Sequence, residues 1–519
     1  MSRTHRASIA ASFAYLQFAL SIVVGLALVP FVLHRVGERL YGYWLASGEV
    51  LAYAAMADLG VMGVVPWLIA EADGRGDRPE MQRIMSTAAC AAVFVSVVYG
   101  SLVLLLWRIA PGVLSLAPAD RAAIVGPLTA IACVTAVVLP LRVAGSTLVG
   151  LQDVKFYGSM STATWAMDLV ITVSLLMGGY GLYALAIGAA VPSLLSAVVM
   201  TLRLRVVAPD LLRGWPRPSA AAVARLFREG FGAWLGAWGW RLSIATDAIV
   251  LASLGHPLWI TMLVMTAKLG QMMTQMSWVP GDSSLVGLAQ LSGERRPERL
   301  REAVAAVFRV YLALATGATC ILLAVNGAFV SGWVGAHLFA GVGVNAVLAV
   351  VIVVSTLAHG MAVVASALGK RLHVGLAALA SGAIQVVLAL TLGRRLGLIG
   401  IPLASLSAQV IVLIPLLIPA LADRTGLAFP GLARDVLRPW AILSVPLMLV
   451  CGGLGLVRMP LGFAGTVVAG VFVGLTYALC ARSLILGYPP VAELIRGRLA
   501  ALRLDGLLAL AGLEGTGRP

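Results

Sequence analysis

"RPEMQR" (Arg78–Arg83) and "RPERLR" (Arg296–Arg301) are one connector written twice, 218 positions apart (78 to 296). Each copy stands between two long apolar runs, so its neighbours decide whether the repetition is chance or a duplicated unit. "RVGERLYGYW" (Arg35–Trp44) follows the first run and "SLGHPLWITM" (Ser253–Met262) follows the seventh, with Gly37 matching Gly255 at the same offset of 218. "TLVGLQDVKFYG" (Thr147–Gly158) closes the fourth run and "SALGKRLHVG" (Ser366–Gly375) the tenth, where Gly150 to Gly369 is 219. "GLYALAIG" from Gly181 opens the sixth and "GLIGIPLAS" from Gly397 the twelfth, a difference of 216. One offset, drifting by a few residues and kept in order, spans six runs. The chain reads as two six-span halves of like orientation followed by two extra spans.

Composition says what those runs are. Of 519 residues, 60% are hydrophobic and only 11% charged, with mean hydropathy +0.98. The apolar stretches are about twenty residues long, the length a helix needs to cross a hydrocarbon core. The period-2 alternation of outer-membrane barrels is absent. The fold class is therefore an all-α polytopic membrane protein. Its first run, about 13–33, is too long for a signal-peptide core and lacks a small-residue cleavage pattern, so it reads as a retained span. All five cysteines (Cys90, Cys133, Cys320, Cys451, Cys480) fall in spans, where thiols act as small hydrophobes; neither a disulfide nor a metal or cofactor site is expected.

Hydropathy yields about fourteen transmembrane helices, near 11–33, 43–70, 84–107, 123–149, 159–178, 182–202, 230–254, 258–288, 303–325, 342–368, 374–393, 397–421, 439–457 and 462–481. With the N-terminus inside, roughly 26 of the 37 Lys and Arg fall on the inner side and roughly 7 on the outer side. That bias predicts both termini in the cytoplasm, and it explains the net charge of +15 by topology, with no nucleic-acid partner. The expected domains are an N-terminal six-helix bundle (1–205), a basic cytoplasmic linker (206–229) against an anionic leaflet, a second six-helix bundle (230–425), two extra spans (426–482) and an amphipathic cytoplasmic tail (483–519). No loop is long enough for a catalytic domain, so enzyme chemistry, including that of membrane glycosyltransferases and polymerases, is not expected. Fourteen-span major-facilitator transporters carry their extra pair between the halves, whereas here it follows the second half.

Parallel repeats of this kind are related by an axis along the membrane normal and leave a central cleft. Charges inside spans cost about 2.5–3.5 kcal/mol on insertion scales and so face a cavity or a partner. The repeat sets Glu49 beside the counterpart of Lys268 (offset 219), Arg142 beside His359 (217), and Asp168 on Gln385 (217). Arg241, Lys268, Arg142 and Glu49 are the candidate substrate-binding residues, the three bases suiting an anionic ligand that arginine holds in a bidentate fork. Asp58, Asp168, Asp247 and His359 are the coupling or gating candidates, with H+ or Na+ as the candidate ion. No residue is assigned a catalytic role.

These motifs, with "MADLG" (Met56–Gly60), resemble those of the polysaccharide-biosynthesis flippases, the O-antigen translocase type, of the multidrug/oligosaccharidyl-lipid/polysaccharide (MOP) exporter superfamily. The resemblance covers essentially the whole chain, and six plus six plus two spans fits it. The second-half copy departs from it: "SLGHPLWIT" lacks the Tyr41–Gly42 pair. The resemblance implies a bacterial inner-membrane transporter working by alternating access. Its substrate would be a polyprenyl-pyrophosphate-linked oligosaccharide moved from the inner to the outer leaflet, with Asp58 at a motif position. The alternative is an ion-coupled multidrug or cation antiporter of the same superfamily, which would need carboxylates to dominate the cleft.

Overall fold

The computed structural model describes residues 20, 24–56, 60–113, 118–212, 216–218, 220–293, 297–425, 429–457 and 462–481. Within them every expected span is represented by helix, and there is no strand. In order these are α1 (Val24–Val36), α2 (Glu38–Ala55), α3 (Val61–Gly74), α4 (Arg78–Val113), α5 (Pro118–Gly150), α6 (Val154–Met177) and α7 (Leu182–Val207). Then come α8 (Ala220–Ser253), α9 (Pro257–Gly293), α10 (Pro297–Trp333), α11 (Val342–Ala367) and α12 (Arg371–Leu396). The twelfth span is α13 (Gly400–Ala408), a π turn (Gln409–Leu413) and α14 (Ile414–Thr425). The thirteenth is α15 (Phe429–Leu432), a π turn (Ala433–Leu437) and α16 (Arg438–Leu456); the fourteenth is α17 (Phe463–Cys480).

Apolar side chains point both ways, as hydrocarbon surroundings allow. Phe94 is 65% exposed, Leu104 70% and Leu449 72%. Such a surface would drive aggregation in water but matches lipid. In lipid the helix is favoured because it satisfies every backbone group within the segment. The chain is a multi-pass membrane protein.

The repeat is written in the backbone. Left-handed residues stand at Gly37 (φ 89) and Gly255 (φ 79), at Gln152 (φ 57) and Gly369 (φ 85), and at Gly181 (φ 54) and Gly397 (φ 68). Their offsets are 218, 217 and 216. The partner of Gly369 is thus Gln152 rather than Gly150, the glycine that the sequence pairs with it. Residue identity misleads there because Gln152 adopts a conformation that glycine usually fills.

The second span differs from its reading as one run: α2 ends at Ala55, and α3 begins after Gly60, which is left-handed at φ 77. The break has a physical cause in packing. A Cβ on Gly60 would lie 2.6 Å from the carbonyl oxygen of Gly230 and 3.1 Å from Cβ of Trp234, so only glycine lets α8 approach here.

The chain divides into two compact units, Met1–Thr261 and Met262–Pro519, with the boundary inside α9. In the first unit Val65, Ile69, Met81, Met85 and Leu148 centre one core, and Tyr43, Tyr99, Ile124 and Leu128 another. α8 packs on α2, α3 and α4 within this unit. In the second unit Phe308, Leu312, Met361, Val364 and Leu417 form the main core. The extra pair packs on α10, where the Trp440 indole N–H donates to Thr316 Oγ1 at 2.8 Å and Tyr477 lies against Cys320.

Candidate functional site

In the first unit, α2 and α8 bring two of the expected binding residues together. Arg241 Nη2 donates to Glu49 Oε2 at 2.5 Å, with the side chains 34% and 30% exposed. The pair is half-buried, so each charge has lost much of its water and depends on the other. The same helices meet again where the Trp234 indole N–H donates to the Met56 carbonyl at 2.7 Å. That bond satisfies a backbone oxygen beside the break between α2 and α3. An aromatic row runs along α8 toward Arg241: Phe231 stacks on Trp234 at 5.5 Å, and Trp234 meets Trp238 edge-on at 5.7 Å. Gly48, next to Glu49, has nothing within 4 Å of an added Cβ, so space stays open beside the pair.

The other first-unit candidates stand apart from this pair. Arg142 is exposed on α5 and makes no ion pair or side-chain hydrogen bond among the described residues. Asp168 on α6 is half-buried and accepts a hydrogen bond from Thr172 Oγ1 at 3.1 Å. Gly188 of α7 permits this, since a Cβ there would overlap Thr172 and sit 2.9 Å from Asp168 Oδ1. Asp247 is half-buried on α8 and is engaged by a neighbour. Asp58 lies outside the described residues.

In the second unit, Lys268 is half-buried in α9, eleven residues past Pro257, and has no ion pair or hydrogen bond from its side chain among the described residues. His359 of α11 is held by aromatic rings: Trp278 stacks on it at 4.1 Å and Tyr311 meets it edge-on at 6.1 Å. Gly360 keeps α11 close to α10 here, a Cβ lying 2.9 Å from the Tyr311 ring.

Sequence reasoning missed several polar contacts that shape these units. Asn326 donates to the Thr266 carbonyl at 2.8 Å and to Asn345 Oδ1 at 2.7 Å, and Thr266 Oγ1 accepts the Ala340 N–H at 2.8 Å. This buried network ties α9, α10 and α11 to the 336–341 loop. Two asparagines in apolar runs were its available signal, since a buried amide in a span needs a partner. Asp435 is a second case. It accepts from Arg301 Nη2 at 2.9 Å, and its carbonyl accepts from Arg309 Nη2 at 3.0 Å.

No known family model and no curated protein sequence matches the chain. Solved structures do. A structure described as the lipid II flippase MurJ in an inward closed conformation superposes with a TM-score of 0.65 at 12% identity, over 91% of this chain and 100% of that one. An inward-facing multidrug resistance MATE transporter of the MOP superfamily gives 0.55 at 15% identity, over 76% and 91%. A MOP-superfamily transporter from Pyrococcus furiosus gives 0.51 at 14%, over 80% and 96%. The chain has the MOP-transporter fold. These neighbours, a flippase and transporters by description, bear out the expected all-α polytopic architecture; at these identities the likeness is one of fold.

Proposed function

We propose that the protein is a flippase that moves a polyprenyl-pyrophosphate-linked oligosaccharide from the inner to the outer leaflet of the bacterial cytoplasmic membrane by alternating access, supplying surface polysaccharide assembly. The observation that carries this reading is Lys268, a half-buried lysine in a membrane helix without a carboxylate beside it among the described residues. A cation in a span is costly unless something compensates it. A transient anionic cargo is such a compensation, and a pyrophosphate head group supplies it. The fold shared with a lipid II flippase supports the same class of cargo, and the order of the sequence motifs supports the O-antigen type.

In this reading Arg142, Arg241 and Lys268 remain the candidate cations for the pyrophosphate, and Glu49 neutralises Arg241 while no substrate is bound. The incoming anion competes with Glu49 for the guanidinium, so occupancy changes the contact between α2 and α8. An inside-negative potential favours outward movement of an anion by roughly 2.3 kcal/mol per charge per 100 mV. His359, Asp168, Asp247 and Asp58 remain the candidates for coupling to H+ or Na+.

The test is the leaflet distribution of lipid-linked glycans in cells depleted of the protein, read with an impermeant sugar-oxidising probe. Inner-leaflet accumulation that reverses when the gene is restored supports the reading; an unchanged pool and distribution removes it. One observation favours the antiporter alternative: Asp168 is a half-buried carboxylate that pairs with no base among the described residues. Ion-coupled efflux of small cations is its assay.

A further inference from the structure

The connector Arg78–Arg83 opens α4 beside a cavity of about 220 Å³. Its walls are Leu68 of α3, Arg83 and Ile84 of α4, and Ala222, Arg225 and Leu226 of α8. Glu80 stands at the rim between the two arginines. Its Oε2 accepts Arg83 Nη1 at 3.0 Å and its Oε1 accepts Arg225 Nη1 at 3.1 Å. Two guanidiniums share one carboxylate, so the cluster keeps a positive charge. Each guanidinium has five N–H donors, and Glu80 takes one from each. The opposite wall is apolar: Leu68, Ile84 and Leu226 are 8%, 7% and 3% exposed.

Position along the helix narrows what this slot can take. Arg83 is the last charge before the apolar run of 84–107 begins, so the cavity sets the guanidiniums of Arg83 and Arg225 beside apolar side chains. Free phosphate would use only the cationic half. A phospholipid would use both halves, its phosphate on the arginines and its first methylenes along the apolar wall. Basic pockets between membrane helices near the surface take anionic head groups in this way, and the planar guanidinium suits phosphate oxygens. The second copy of the connector is built differently. Arg301, 218 residues after Arg83, is bonded to Asp435 of the segment leading into α16, whereas the carboxylate on Arg83 comes from Glu80 of the connector itself.

We propose that this cavity is a binding site for the phosphate of an anionic membrane phospholipid, separate from the transport site. Arg225 and Arg241 are sixteen residues apart on α8, which places the two sites about 24 Å apart along the helix. A lipid bound here touches α3, α4 and the first turns of α8, and so holds the start of α8 to the first unit. The protein's stability then depends on the anionic lipid content of its membrane.

The test is native mass spectrometry of the purified full chain with phosphatidylglycerol and, separately, phosphatidylcholine. The wild type should retain a phosphatidylglycerol adduct and not the phosphatidylcholine one. R83Q/R225Q should lose the adduct. A222W, which keeps both arginines but fills the cavity, should lose it too. Chromatographic monodispersity identifies which variants are folded, and an adduct retained in either folded variant overturns the proposal. Inorganic phosphate without lipid is the control ligand. Thermal stabilisation of the wild type by phosphate alone, lost in R83Q/R225Q, would assign the site to free phosphate and overturn the lipid assignment.

Discussion

Glu49 meets Arg241 at 2.5 Å, and seven residues further along the chain, just past the end of α2, the Met56 carbonyl accepts the N–H of Trp234, seven residues back along α8. The equal steps mean that α2 and α8 run antiparallel with two rungs in register. One rung is ionic and the other caps a helix end, so removing either leaves the second in place. R241A leaves the Glu49 carboxyl half-buried and without its guanidinium. It should cost about 1.5–3 kcal/mol, the range for hydrogen bonds to charged groups. E49Q/R241Q, which removes both charges, should cost less than the sum of E49Q and R241Q measured singly. A double-mutant cycle by denaturant unfolding in detergent measures this coupling, and strict additivity would show that the contact contributes nothing.

Gln152 is the single non-glycine residue at positive φ among the described residues, and it stands where the second half has Gly369. The left-handed conformation costs an L-residue roughly 1–2 kcal/mol. Q152G should therefore stabilise the protein by up to about 1 kcal/mol, the extra freedom of glycine in the unfolded chain taking back part of the gain. G369Q should destabilise it. Melting temperatures of the two variants measured side by side test the assignment, and a Q152G protein that melts below wild type would refute it.

Helix number, the doubled six-span plan and the trailing pair are legible in the sequence because apolar run length and turn spacing are local properties. The break at Gly60 is not, because 43–70 is one apolar run by hydropathy and the cause of the break is the approach of Gly230 and Trp234 from α8. The partner of Glu49 was also hidden. Repeat symmetry sets Glu49 against Lys268, while the residue that bonds it lies 192 positions away on a helix docked in the first unit. The role of Asp435 escaped for the same reason, since its arginine donor Arg301 is 134 residues distant. Repeats report what two halves share, and side-chain pairing is where the halves differ.

Gly42 of the Tyr-Gly motif has a packing role that the structure makes concrete. A Cβ there would overlap the Pro257 carbonyl oxygen and lie 3.0 Å from Thr261 Oγ1. Thr261 Oγ1 also donates to the Glu38 carbonyl at 2.9 Å, pinning the start of α9 to the start of α2. G42A should cost about 1–3 kcal/mol, as overpacking does where the obstacle is backbone. Unfolding of purified G42A measures the loss. A stable G42A protein that fails to transport would instead give the motif a direct part in function.

Lys268 and Asp168 separate the two transport readings. Under the flippase reading the ammonium of Lys268 meets a phosphate, so charge matters more than shape. K268R should retain transport of the lipid-linked glycan, while K268A should lower it at least about tenfold, the equivalent of 1.4 kcal/mol. D168N keeps the shape and removes the charge, and under this reading it should leave glycan transport nearly unchanged. Under the antiporter reading the order reverses, because a carboxylate without a base beside it is the group that exchanges a cation for the coupling ion. D168N then abolishes efflux and K268A spares it. Both substitutions, assayed for glycan leaflet distribution and for cation efflux in the same cells, distinguish the readings. A K268A protein with full glycan transport would remove Lys268 from the substrate site.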